Sequence, residues 1–160
     1  MITIRPFAPA DAESVVRVHW EAVHETAGAD YPPDILNEWS IPVTPERVQA
    51  FRATRATSKE ITLVAEKNGH VVGFGAFLPA TNELTAIYVL PEAGSQGVGK
   101  QLLQELERLA RERGLTELHL DSSLTAEPFY RANGYVREST EEHTRASGRK
   151  MPAVQMRRAL

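Results

Sequence analysis

The sequence predicts an α/β chain of the α+β type, with a mixed, mostly antiparallel sheet flanked by helices. Strand-like segments of two-residue alternation and helix-like segments with an apolar stripe follow one another along the whole chain. Asn68-Gly69 between two apolar runs is a hairpin signal, because both residues tolerate the positive φ that a tight two-residue turn needs. Near the middle an apolar strand passes through a glycine-rich turn into a helix of crossover length and then another strand, which makes those two strands parallel.

Ile2 to Phe7 alternates as a first strand, and Pro6 marks a strand end or a sheet edge, since proline cannot donate to a ladder. From Ala10 to Thr26, residues Ala12, Val15, Val16, His19, Val23 and Ala27 fall on one helical stripe, with Gly28 as the stop. His19 and His24, five apart, do not share a face of such a helix and read as ordinary helix residues. Pro32 to Trp39 forms a short helix, and Thr44-Pro45-Glu46-Arg47 reads as an N-cap with proline in the first turn of a helix reaching about Thr54. Ile61–Glu66 and Val71–Leu78 are the arms of the hairpin. Leu84 to Leu90, apolar or β-branched nearly throughout, suits a strand buried on both faces. Val98 to Arg113 is the clearest helix, stopped by Gly114. A short strand at Thr116–Asp121, a short helix at Thr125–Asn133 and two strands, Tyr135–Thr144 and Met151–Arg157, complete the chain around a Ser147-Gly148 turn.

With 160 residues and 42% hydrophobic content the chain can bury one substantial core, and residues 1–160 read as a single domain without a composition break. A formal charge of -3 supplies no electrostatic reason for nucleic acid as a partner. The absence of cysteine removes disulfides, thiolate metal sites and a cysteine nucleophile, and no histidine spacing suggests a metal. No apolar run matches a membrane span or a signal peptide, so the cytoplasm is the expected compartment and no membrane the expected partner.

The stretch that organises the rest is Asn82 to Gln101, NELTAIYVLPEAGSQGVGKQ. Gly94, Gly97 and Gly99 remove side chains where backbone would approach a ligand, and the unpaired N–H groups at the following helix start would face an anion, expected to be a phosphate or pyrophosphate. Lys100 adds a point charge. Gly94 to Lys100 also fits the P-loop pattern G-x-x-x-x-G-K, but Gln101 stands where a P-loop phosphotransferase needs Ser or Thr on magnesium. The other pattern, Gly97-Val98-Gly99 after an apolar strand with FYRANGY (Phe129 to Tyr135) downstream, resembles the GNAT superfamily of N-acetyltransferases. Its acyl-CoA motif is Gln or Arg, two residues, Gly, one residue, then Gly or Ala. Gly94 takes the first position, so the usual side chain is missing there. A second motif, a tyrosine four residues before a glycine-aromatic pair, is matched by Tyr130, Gly134 and Tyr135.

That resemblance implies an acetyl-CoA-dependent N-acetyltransferase working by direct transfer in a ternary complex. It places the pantetheine arm along Ile87, Tyr88 and Val89, and the pyrophosphate over Gly94, Ser95, Gln96, Gly97, Val98, Gly99 and Lys100. Tyr130 becomes the general acid for the CoA thiolate, the alternative being a packing tyrosine, and Ser123 stands where a cofactor-contacting Asn is often found. Glu83 is the candidate general base, the alternative being an exposed strand-end carboxylate, with Asp121 and His119 in reserve. Phe129 is core or a channel wall. From Val18 to Pro45 the chain carries Glu21, Glu25, Asp30, Asp34 and Glu38 but no Lys or Arg, with Trp20, Tyr31 and Trp39 interleaved. That is either an acidic, aromatic wall for a cationic acceptor or a solvated helix face. The expected acceptor is a small-molecule or peptide amine. A homodimer through the terminal strands is compatible with the sequence, and a non-catalytic acyl-CoA-binding domain is the rival reading.

Overall fold

The computed structural model describes Met1–Leu160. Its strands are β1 (Ile2–Pro6), β2 (Ile61–Lys67), β3 (His70–Leu78), β4 (Glu83–Val89), β5 (Glu117–Ser123), β6 (Val136–Thr144) and β7 (Lys150–Ala159), and they form one sheet in the order β1-β2-β3-β4-β5-β7-β6. The helices are α1 (Ala12–Glu21), α2 (Pro33–Trp39), α3 (Pro45–Thr57), α4 (Val98–Glu112) and α5 (Glu127–Ala132). Every pairing is antiparallel except β4 with β5, as the crossover through α4 requires. Asn68 and Gly69 hold positive φ in the β2–β3 turn, and the Pro6 strand lies at the sheet edge. No helix is long and apolar enough to cross a membrane.

The sheet has a helix layer on each face. Leu102, Leu103 and Leu106 of α4 are buried against Leu63, Phe77, Leu84 and Leu118, and each such leucine contributes about 1.5–3 kcal/mol of burial. On the other face Val15 and Val18 of α1 pack on Val64 and Phe74. α4 lies close to β3 because Gly73 and Gly75 present no side chains to it. A Cβ on Gly75 would stand 2.8 Å from Leu106 Cδ1 and 2.9 Å from Ile87 Cδ1.

β4 departs from the expectation of a strand buried on both faces. Only Leu84 is buried; Ile87, Tyr88 and Val89 are half-buried and Thr85 is exposed. The β3 register passes from Ala76 opposite Ala86 to Phe77 opposite Leu84, which leaves Thr85 as an extra residue in a bulge. Beyond that bend the parallel pair is lost: β4 meets β5 at Glu83 opposite His119 alone, with the His119 N–H donating to the Asn82 carbonyl at 3.0 Å. The two strands then diverge.

The first helix also differs from its predicted course. α1 ends at Glu21, continues as a π turn over Ala22–Thr26 and closes as a 3-10 turn over Ala27–Ala29, so Gly28 lies inside the last turn rather than beyond the helix end. Thr44 does cap α3, its hydroxyl accepting from the Arg47 N–H at 3.1 Å.

The substitution Gly75→Val tests the close approach of α4. The added methyl groups must displace Leu106 and Ile87, so urea unfolding should show a loss of about 1–3 kcal/mol. An unchanged midpoint would mean that α4 is free to move outward.

Candidate functional site

The divergence of β4 and β5 opens a cavity of about 920 Å³ that reaches from the α4 face of the sheet to the α1–α2 face. Its central wall is the free edge of β4. The Leu90 N–H bonds back to Val72 of β3 at 2.8 Å, and strand alternation therefore turns the N–H and C=O groups of Ile87 and Val89 into the gap. These groups are strong donors and acceptors without a β partner, so an extended amide-bearing chain lying in the gap would satisfy them. Tyr88 points away from α4, stacking on Phe74 with its hydroxyl accepting from Trp39 Nε1 at 3.3 Å.

At one mouth of the gap the glycine loop bends into α4. Gly97 takes the left-handed conformation (φ +78°) as N-cap, a backbone state that favours glycine, and no side chain caps the Val98, Gly99 and Lys100 N–H groups. Gly94, Ser95, Gly97, Gly99 and Lys100 line the cavity. Two residues of the predicted loop set contribute no side chain to it. Val98 is buried in the main core, and the exposed Gln96 accepts from Lys67 Nζ at 2.5 Å while donating to the Glu92 carbonyl. Gly99 has a packing role as well, since a Cβ there would stand 3.2 Å from the Phe129 ring, which closes the channel wall.

Opposite the β4 edge stands Tyr130 of α5, buried yet lining the cavity. Burial, and then the nearby Tyr88 phenol, push its pKa above the ordinary tyrosine value, so its hydroxyl keeps its proton at neutral pH. α5 is short and is held by its neighbours. Glu127 accepts from Arg137 of β6 at 2.6 and 2.8 Å and from Arg131 at 2.7 Å; the Arg137 guanidinium, ahead of Arg131, holds its carboxyl below the usual range. Gly134 is left-handed (φ +92°) with Arg158 3.1 Å from its missing Cβ, and Tyr135 beneath it donates to Glu107, which also pairs with Arg158 at 2.6 Å. The glycine-aromatic pair is therefore a structural mount for Tyr130. Ser123 reaches the cavity, where its hydroxyl accepts from the Ala126 N–H at 3.1 Å.

The candidate bases separate clearly. Glu83 and Asp121 line the cavity, and the Glu83 carboxylate makes no hydrogen bond or ion pair in the chain. Asp121 is 43% exposed, 3.7 Å from His143 of β6. His119 does not line the cavity: the parallel register sets it beside the Pro79–Thr81 turn, where Nε2 lies 2.7 Å from the Thr81 carbonyl.

The acidic stretch does not form the acceptor wall. None of Glu21, Glu25, Asp30, Asp34 and Glu38 lines the cavity. Asp30 accepts from Thr125 at 2.6 Å, Asp34 pairs with Arg149 at 3.1 Å and Glu38 bonds Ser147, so three of the carboxylates tie this segment to neighbouring loops. Of the three aromatic residues Trp39 lines the cavity, Tyr31 is buried with its hydroxyl on the Pro152 carbonyl, and Trp20 stacks on His24. His19 and His24 do converge, both touching Ser40, because the π turn that carries His24 brings residues five apart into line. Arg47 can only donate, so His19 Nδ1 accepts from it at 3.1 Å. Burial first, then Arg47 and His24, push the His19 pKa down to about 4.

Because the folded pKa of His19 lies below its ordinary 6.5, the unfolded chain takes up a proton between pH 6.5 and 4 that the folded chain refuses. Stability should therefore fall as pH drops through that window, by up to about 1.4 kcal/mol per pH unit from this residue. Chemical denaturation at several pH values should show a shallower slope for His19→Asn, and equal slopes would refute the assignment.

A family model described as acetyltransferase (GNAT) matches residues 20–135 of this chain. The N-acetyltransferase YafP of Escherichia coli (strain K12), whose own function is uncharacterized, is 28% identical over 134 residues, covering 84% of this chain and 81% of that protein. A crystal structure of a GCN5-related N-acetyltransferase from Rhodopseudomonas palustris superposes with a TM-score of 0.88 at 28% identity, over 99% of this chain and 95% of that one. The PaiA N-acetyltransferase of Thermoplasma acidophilum, solved in complex with coenzyme A, superposes with a TM-score of 0.79 at 23% identity, over 100% and 99%.

Proposed function

The chain belongs to the acetyltransferase (GNAT) family, and from that membership and the open β4 edge we propose that residues 1–160 act as one domain transferring acetyl from acetyl-CoA to a primary amine. Transfer is direct, with donor and acceptor bound together, since the chain has no cysteine to carry the acetyl group. The observation that carries this reading is the position of Tyr130, a protonated phenol across a cavity from an unpaired strand edge.

The residues fit the cofactor. The Ile87 and Val89 backbone groups can take the pantetheine amides as an added strand, and the bare first turn of α4 with Lys100 suits the pyrophosphate. Gly94 supplies no side chain, so backbone and Lys100 carry that contact. When bound, acetyl-CoA supplies an acyl group already activated as a thioester. The β4 N–H groups offer fixed donors for negative charge developing on the acyl oxygen. Glu83 takes the proton of the incoming ammonium, with water bridging the distance, and Asp121 is the second carboxylate placed to do so. Tyr130 holds its Oη proton for the departing sulfur.

In this reading the acceptor is a small-molecule or peptide amine, with neither nucleic acid nor membrane as a partner. A homodimer would form along the outer edge of β6, an exposed strand whose Glu138 and Glu142 pair within the chain with Arg157 and Lys150.

Tyr130→Phe should lower kcat by about 10²–10⁴-fold while leaving the CoA dissociation constant nearly unchanged. A wild-type protein that binds CoA but turns over no amine would favour the non-catalytic rival. Acetyl-CoA should raise the thermal midpoint where ATP with magnesium does not, and the reverse result would reject the transferase reading.

A further inference from the structure

Arg145 carries a charge that the fold leaves unanswered. It sits where β6 turns towards β7, fixed by its N–H on the Arg149 carbonyl at 2.7 Å and its carbonyl accepting from the Gly148 N–H at 2.8 Å. Its side chain is half-buried and lines the main cavity. No carboxylate lies within ion-pair distance: Arg149 and Lys150 on the same hairpin pair with Asp34 and Glu142, whereas the Arg145 guanidinium makes its one hydrogen bond to the thioether of Met151. Its Nε is fully buried without a hydrogen-bond partner. With Nη2 on a weak sulfur acceptor and Nε on none, the guanidinium is costly to hold here unless another group in the site accepts from it.

The side of the sheet identifies what that partner does. Met151 packs with Val23, Tyr31 and Ile35, and with Trp39, on the α1–α2 face, opposite the face that carries α4 and its bare N–H groups. Tyr31 and Tyr88 pack in the same cluster as Met151, so Arg145, seated on Met151, belongs to that face. The phosphates are accounted for at the α4 mouth, so the cation at the other mouth addresses the acceptor. Glu83 and Asp121 line the same cavity, so cation and carboxylates together complement a molecule bearing both charges.

We propose that the acceptor is a small amine that also carries a carboxylate, and that Arg145 binds this carboxylate while the amine is presented to the β4 edge. The inference rests on the transferase reading and narrows its substrate class. It assigns the selectivity to Arg145, which the acidic stretch outside the cavity cannot provide.

The test uses the full chain with α-, β- and ω-amino acids against their carboxamides, following thiol release from acetyl-CoA and, separately, thermal shifts in the presence of CoA. Carboxylate-bearing amines should be preferred. Arg145→Met should raise their KM by roughly tenfold to hundredfold while leaving the carboxamides and the CoA dissociation constant within about twofold. Arg145→Lys should recover part of the loss, because it restores the charge without the planar fork. Equal use of acids and carboxamides, no binding of any carboxylate-bearing amine by a protein that binds CoA, or a loss of CoA affinity in Arg145→Met would each overturn the inference. Failure of the wild-type chain to bind acetyl-CoA would instead overturn the transferase reading beneath it.

Discussion

The single paired position between β4 and β5 is the constraint on which the rest depends. A continuous parallel pair would satisfy both strands and leave no site. Here the bulge at Thr85 bends β4 after Glu83 has met His119, and the remaining edge groups look into a cavity rather than at a neighbour. Strand edges without partners invite another extended chain. The fold directs that tendency inward, into the cavity proposed to take the cofactor.

The groups proposed to handle the cofactor and the leaving group belong to one packed unit. Gly73 and Gly75 let α4 settle against β3, which fixes its first turn at the mouth of the cavity. The same core holds Tyr130 and Tyr135, and Glu107 of α4 links Tyr135 to Arg158 of β7. α4, β7 and the residue Tyr135 that follows α5 therefore share buried polar contacts as well as apolar ones. Buried networks of this kind are expensive to disturb by halves, so the bare amides and the phenol keep a fixed relation.

The proposed acceptor side is built differently. The α2 segment is tied to neighbouring loops by Asp30–Thr125, Asp34–Arg149 and Glu38–Ser147, contacts that lie largely in solvent. Each exposed pair of this kind contributes about 0–1 kcal/mol. Beneath them lies the small apolar cluster of Val23, Tyr31, Ile35 and Met151. This wall is held more lightly than the cofactor wall, which suits the part of a transferase that has to admit and release its variable substrate.

Element order, the Asn68-Gly69 hairpin, the α4 crossover and the glycine loop were legible in the chain, because each depends on residues adjacent in sequence and on local backbone preference. Tyr130 and the loop were legible for the same reason, as motifs of fixed spacing. The VVGFGAF run in β3 also carries a local signal, two strand glycines that announce a close-packed neighbour. The Thr85 bulge, the convergence of His19 and His24 through a π turn, the outward placement of the acidic stretch and the unpaired charge of Arg145 had no such signal. Each is set by a balance between segments far apart in sequence: which strand β4 follows, which loop a carboxylate reaches, which cation is left without one. The amino-acid sequence by itself determined the elements and the chemistry they can carry. The tertiary structure alone decided where the sheet opens and which charges face the opening, since those are settled by packing and pairing across the whole molecule.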